Sequence, residues 1–253
     1  MSQPSKPIIE VRDLTAGYGK TVILARVTFS IFPGEVVVIA GGSGCGKSTL
    51  LKNIIGLATP MSGSVLVDGT DVHSAGEREL AQFRRKIGVL FQSGALLGSM
   101  TLAENVALPL QDHGGLNSRE IDLVVRMKLG LVGLAGYGNH LPSELSGGMQ
   151  KRAGLARAMA LDPMVLFFDE PSAGLDPVTS AGLDRLIIRL NRALGSTMLI
   201  VTHELDSIFS IAHRVVLLDK SVKGVIASGP PRQLAEERGN PIVSAFFHRR
   251  PRE

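Results

Sequence analysis

Val36-Val37-Val38-Ile39-Ala40-Gly41-Gly42-Ser43-Gly44-Cys45-Gly46-Lys47-Ser48-Thr49 decides the fold. Five apolar residues without a polar interruption read as a strand buried on both faces. The run after it matches G-x-x-x-x-G-K-[ST], with a helix expected to begin near Lys47. In that context the glycines let backbone N–H groups converge on phosphate oxygens, Lys47 neutralises the β and γ phosphates, and the Ser48 hydroxyl can ligate Mg²⁺. The expected nucleotide contacts are therefore Gly41, Gly42, Ser43, Gly44, Cys45, Gly46, Lys47, Ser48 and Thr49. Cys45 reads as a small side chain turned away from the phosphates rather than a catalytic or redox thiol.

Outward from this loop, apolar β-rich runs alternate with helical patterns, which predicts a mostly parallel sheet with helical crossovers. Residues 164–168 and 198–201 are two more buried strands, each ending in polar residues at the sheet edge where ligands bind. Residues 8–14 and 22–32 come as strands with no helix between them, and 63–67 is a further candidate, so an antiparallel β layer is expected beside the core. Asp176-Pro177 opens a helix as N-cap and first turn, with Leu183, Leu186, Ile187, Leu190 and Leu194 on one stripe. Between residues 101 and 160 the β signal disappears; Asn117-x-x-Glu120 starts one of the helices there in the manner of a capping box. The predicted fold is α/β, with a P-loop NTPase core, an N-terminal antiparallel β layer and an inserted helical subdomain. One domain over 8–253 is expected: core and β layer at about 8–95 and 161–240, helices at about 98–158, a short C-terminal helix and basic tail at 241–253.

Leu166-Phe167-Phe168-Asp169-Glu170 is an apolar strand ending in two acids. Beside a phosphate loop, Asp169 would hold Mg²⁺ through water while Glu170 polarises the attacking water. Leu145-Ser146-Gly147-Gly148-Met149-Gln150 opens a further helix, whose free N–H groups make a second anion site. One domain has no plausible way to offer both sites to one triphosphate.

This ordered set resembles the nucleotide-binding domain of ABC transporters over nearly the whole chain. The resemblance makes Ser146, Gly147 and Gly148 part of the family signature, Gln92 the Q-loop glutamine that contacts Mg²⁺, and His203 the switch histidine that acts with Glu170 and Lys47 in catalysis. It makes Ser172 to Asp176 the D-loop and Tyr18 an adenine-stacking aromatic. It implies a homodimer in which two ATP molecules lie between the phosphate loop of one subunit and Ser146, Gly147, Gly148 and Asp176 of the other. ATP and Mg²⁺ are the implied cofactors.

Residues 90–97, 100–110 and 141–149 are similar to the Mla-type, Mce-associated lipid transporters of bacterial envelopes. That likeness implies phospholipid transport between inner and outer membranes, an MlaE-like integral-membrane permease, an Mce-domain protein and a small STAS-type accessory subunit. Two departures stand out: Gly42 occupies a loop position where proline is common, and the chain ends soon after Phe247, where some members carry a longer tail. A polar-solute importer would keep every catalytic residue and differ around 93–97. A soluble, non-transport ABC protein would need a coiled coil or tandem cassettes, and a small kinase or GTPase would leave the Ser-Gly-Gly helix without a purpose.

The chain has 253 residues, 44% of them hydrophobic, 20% charged and 4% aromatic, with a net charge of +4. No apolar run approaches the roughly 20 residues of a membrane span, and the N-terminus lacks a secretory core. A cytoplasmic protein, peripheral on the inner membrane, is expected. One cysteine excludes an internal disulfide. No basic stripe interleaves with aromatics, so nucleic acid is not an expected partner. The basic tail from His248 to Arg252 reads as a solvated end, with contact to anionic lipid or a partner as the alternative.

Overall fold

A computed structural model describes residues 6–113 and 115–249. In chain order these form β1 (Ile9–Tyr18), β2 (Thr21–Ile31), β3 (Val36–Gly41), α1 (Lys47–Ile54), β4 (Ser62–Val67), β5 (Thr70–Asp71), α2 (Glu77–Lys86) and β6 (Ile87–Leu90). Then follow α3 (Leu102–Asp112), α4 (Ser118–Leu131), α5 (Gly147–Ala158), β7 (Val165–Asp169), α6 (Pro177–Leu194), β8 (Thr197–Val201) and α7 (Leu205–Ile211). β9 (Arg214–Asp219), β10 (Gly224–Gly229), α8 (Pro231–Glu236) and α9 (Pro241–Phe247) complete the chain.

Two sheets result, ordered β2-β1-β4-β5 and β10-β9-β3-β8-β7-β6. The second is parallel except for β10, which runs antiparallel to β9 at one edge. β3 lies between β9 and β8, and its residues alternate between two cores. Val36, Val38 and Ala40 face the core built with α3 to α6, while Val37 and Ile39 face the core under α1 and the antiparallel layer. A strand covered on both faces needs apolar residues at every position, which explains its unbroken run.

β1 continues past the predicted end at residue 14 to Tyr18. Asp13 sits at φ 45°, the register against β2 shifts there, and pairing resumes beyond the bulge. The hairpin tip therefore carries Tyr18 toward α1. Asn117 and Asp176 cap α4 and α6 as expected, each side chain accepting two backbone N–H bonds. Leu194 departs from the predicted stripe: it is 44% exposed at the last turn of α6, where Gly195 at φ 65° ends the helix.

The inserted helices share one core with the sheet. Leu102, Val106, Val125, Leu129 and Leu155 belong to the same cluster as Leu90, Leu166 and Phe168. Lys128, only 1% exposed, reaches through this region to pair with Asp162 between α5 and β7. Across the molecule, Arg214 at the start of β9 forks onto Glu35 (2.6 and 2.8 Å) and also donates to the Ser30 carbonyl at 2.6 Å, joining the two sheets. Burial opposes the Glu35 charge, but the Arg214 bond and the Phe32 N–H hold its carboxyl below the usual range.

Candidate functional site

Parallel pairing puts the carboxyl ends of β3, β6, β7 and β8 on one edge. There a cavity of about 760 Å³ is lined by Tyr18, Ile23, Gly41 to Gly44, Gly46 to Thr49, Gln92, Glu170, Ala173, His203 and Phe246.

The loop between β3 and α1 forms its floor. Gly41 is at φ 148°, and a Cβ there would stand 2.4 Å from the Leu218 carbonyl oxygen and 2.6 Å from Cys45 Sγ, so only glycine fits. Lys47 Nζ folds over the loop onto the carbonyls of Gly41 (2.9 Å) and Gly42 (3.2 Å). No side chain caps the N-terminus of α1. Its first N–H donors, beside a lysine held only by carbonyls, suit a phosphate chain. Cys45 is buried, and burial pushes its thiol up, away from the thiolate. The Tyr18 hydroxyl lies 3.3 Å from Thr49 Oγ1, leaving an exposed ring at the mouth.

Ser48 Oγ lies 3.3 Å from Asp169 Oδ1 at the end of β7. Burial raises the Asp169 carboxyl and Glu170 raises it further, while the Ser48 bond, Lys52 and Lys47 lower it. A hydroxyl beside a carboxylate short of solvent is a hard-oxygen set that suits Mg²⁺. Among the described residues no three His, Cys, Asp or Glu side chains converge as a metal site of their own, so a metal here would share its ligands with the nucleotide.

Glu170 follows at φ 46°, its N–H donating to the Val201 carbonyl at 2.9 Å. Thr202, after β8, donates in turn to the Ile39 carbonyl at 3.2 Å. These bonds bring Glu170 and His203 together: His203 Nδ1 is 3.0 and 3.1 Å from the two Glu170 carboxyl oxygens.

Gln92 leaves β6 toward the same cavity, and its carbonyl accepts from Lys151 Nζ on α5. Arg157, two turns along α5, donates to the carbonyls of Gly94 (3.2 Å) and Ala95 (2.7 Å). Sequence reasoning missed both cations; their one legible sign was placement on a helix with little apolar periodicity. Glycines close the same contact. A Cβ on Gly88 would meet the Ala158 carbonyl oxygen at 2.1 Å, and one on Gly154 would meet the Gly94 carbonyl oxygen at 2.9 Å.

Ser146, Gly147 and Gly148 lie at the start of α5 and do not line this cavity. Ser146 caps the helix through Met149 N at 3.4 Å. Gly148 has a packing duty that sequence reasoning did not foresee, since a Cβ there would come within 2.4 Å of Thr179 Cγ2 on α6. Asp176 is likewise away from the cavity, accepting from Val178 N and Thr179 N at 3.0 Å and from Thr179 Oγ1 at 2.5 Å. The Thr179 bonds hold its carboxyl below the usual range.

The family model described as "ABC transporter" matches residues 24–173. The chain is 44% identical over 247 residues to the probable ribonucleotide transport ATP-binding protein mkl of Mycobacterium leprae (strain TN), covering 98% of this chain and 70% of that protein. It is 42% identical over 237 residues to the intermembrane phospholipid transport system ATP-binding protein MlaF of Haemophilus influenzae (strain ATCC 51907 / DSM 11121 / KW20 / Rd), covering 93% and 89%. A dimeric structure of a post-hydrolysis state of the ATP-binding cassette MJ0796, bound to ADP and Pi, superposes with a TM-score of 0.79 at 32% identity, covering 88% of this chain and 99% of that one.

Proposed function

Because the chain belongs to the ABC transporter family of ATP-binding domains, we propose that it works as one of two ATP-hydrolysing subunits beneath a bacterial permease, and that the cargo is phospholipid. One observation carries the catalytic part: Lys47, Ser48, Gln92, Glu170 and His203 line one cavity, while Ser146, Gly147, Gly148 and Asp176 do not. The second set is then supplied by a twin subunit, the arrangement expected if one triphosphate is to use both anion-binding helix ends. The dimeric state of the MJ0796 cassette supports this reading.

In this proposal Lys47 leaves the Gly41 and Gly42 carbonyls for the β and γ phosphates, Tyr18 stacks on adenine, and Gly41 to Thr49 wrap the phosphate chain. Ser48, Gln92 and Asp169, the last through water, would hold Mg²⁺, which supplies charge neutralisation at the β and γ oxygens. Glu170 takes the proton of the attacking water, and His203, hydrogen-bonded to Glu170, positions it. Gln92 carries the change to the permease through the segment that Lys151 and Arg157 hold on α5.

The phospholipid cargo rests on residues 90–97 and 100–110, and on likeness to the Haemophilus MlaF. An Mce-domain protein and a STAS-type subunit are the proposed accessories, and the cytoplasmic face of the inner membrane is the proposed location. No helix among the described residues is long and apolar enough to cross a membrane. A polar-solute importer is the second reading, favoured by the 44% identity to the mycobacterial mkl, described as a probable ribonucleotide transport ATP-binding protein, against 42% to MlaF. The test is reconstitution of the complex between donor and acceptor vesicles, with phospholipid counted in each. ATP-dependent transfer lost in Lys47→Ala supports the lipid reading; ATP turnover that moves a soluble substrate and no lipid overturns it.

A further inference from the structure

The C-terminal helix reaches the nucleotide cavity. α9 is set by Asn240, whose side chain accepts from Ile242 N (3.0 Å) and Val243 N (3.4 Å), and by Pro241 in the first turn. Val243 and Phe247 are buried in the core, and the Phe247 ring meets Phe209 of α7 at 5.8 Å. Phe246, half-buried, packs against the edge of the same core and stands edge-on to Phe247 at 5.3 Å.

Phe246 borders two cavities. One is the nucleotide cavity; the other, of about 360 Å³, lies behind the phosphate loop between Cys45, Asp219, Lys220 and Ala245. Gly42 and Ser43 border both as well, so Phe246 and the first half of the loop together form the partition. Three residues on, Arg249 enters the cavity on the far side of His203 and lies 3.7 Å from Asp206. The end of α9 thus runs from the loop to the flank of the switch histidine.

Resting on the ATPase reading above, we propose that Phe246 is a nucleotide-positioning residue: an apolar wall that bounds the nucleotide cavity beside Gly42 and Ser43 and narrows the space left to the phosphate chain. Nothing lies within 4 Å of a Cβ position at Gly42 or Gly44, so this half of the loop has open space beside it, and Phe246 is the aromatic ring of α9 that borders that space. Losing it should weaken ATP binding while the fold, anchored by Val243 and Phe247, stays intact.

The experiment measures Mg-ATP affinity of the full chain by calorimetry for wild type, Phe246→Ala and Phe246→Leu. The expected result is a roughly three- to tenfold rise in Kd for Phe246→Ala, with Phe246→Leu close to wild type and the nucleotide-free Tm of both variants still well above the assay temperature. An unchanged Kd in Phe246→Ala overturns the proposal. Because the chain contains no tryptophan, Phe246→Trp gives a second readout even if the alanine variant fails to fold. Its emission should change on saturating Mg-ATP, and a flat titration with binding seen by calorimetry also overturns the proposal. Wild type that binds no ATP would instead sink the ATPase reading itself.

Discussion

His203 Nδ1 faces both carboxyl oxygens of Glu170, at 3.0 and 3.1 Å. A carboxylate only accepts hydrogen bonds, so in this contact Nδ1 is the donor whenever Glu170 serves as a base. The pair behaves as a unit: the carboxylate fixes the ring, and the ring fixes a carboxylate whose backbone is held at φ 46°.

Replacing Glu170 by Gln keeps shape and a hydrogen-bonding partner for His203 but removes the proton acceptor. Phosphate release should fall by at least about 100-fold, the usual worth of a general base, while calorimetric ATP affinity holds. On gel filtration the ATP-loaded variant should elute as a dimer. Turnover within a few-fold of wild type would remove Glu170 from the base role, and elution as monomers alone would contradict the paired-subunit mechanism.

Gly148→Ala places a methyl 2.4 Å from Thr179 Cγ2, and the Thr179 hydroxyl bond to Asp176 opposes the rotation that would move that methyl away. A loss of about 1–2 kcal/mol is expected in urea unfolding. Adding Thr179→Ser deletes the clashing methyl and keeps the hydroxyl bonded to Asp176, so the double variant should recover most of that loss. Simple additivity of the two changes would mean the glycine answers to something other than this contact.

Asp184 is 5% exposed, accepts from Ser207 Oγ at 2.8 Å, and has its carboxyl raised by burial, with Glu204 and Asp206 adding to the rise. A carboxyl raised on folding binds its proton more tightly in the folded state. Stability therefore falls as pH climbs from the ordinary aspartate value, about 3.9, through the raised one, and the penalty is complete above it. Asp184→Asn should raise Tm at pH 7 by about 2–4 °C, with the gain vanishing below about pH 4. A gain independent of pH would show that ionisation is not its source.

Glu35 has the opposite sign. Its carboxyl is lowered, so the Arg214 fork stabilises the fold above the ordinary glutamate range and the contribution is lost as pH falls through the lowered value. Arg214→Ala should cost about 2 kcal/mol at pH 7, since it strands a half-buried carboxylate and the Ser30 carbonyl. Pairing it with Glu35→Gln in a double-mutant cycle checks the coupling; strictly additive losses would contradict the fork.

The segment from Val36 to Thr49 was legible because each residue obeys a local rule: an apolar run for a doubly covered strand, glycines for a phosphate loop, a lysine at the helix start. The Asn117 and Asp176 caps were legible for the same reason. What escaped depends on neighbours distant in sequence. Gly148 reads as part of an anion-binding turn, yet its missing Cβ also answers to Thr179, and no local pattern records that. Lys151 and Arg157 bind backbone carbonyls of Gln92, Gly94 and Ala95, which carry no side-chain signature. α2 is short and mostly charged, with only Phe83 buried and Leu80 beside it, too few apolar residues to mark a helix by their period, and Phe246 joins the cavity only because α9 folds back to it.

The meeting of α5 with the strand that delivers Gln92 has a mechanical consequence. At Gly88 and Gly154 main chain lies close against main chain, and the Lys151 and Arg157 bonds to the carbonyls after β6 tie the same two elements together. Displacing the segment after β6 would therefore be expected to shift α5 with it, the Ser146 end included, rather than bend the contact between them.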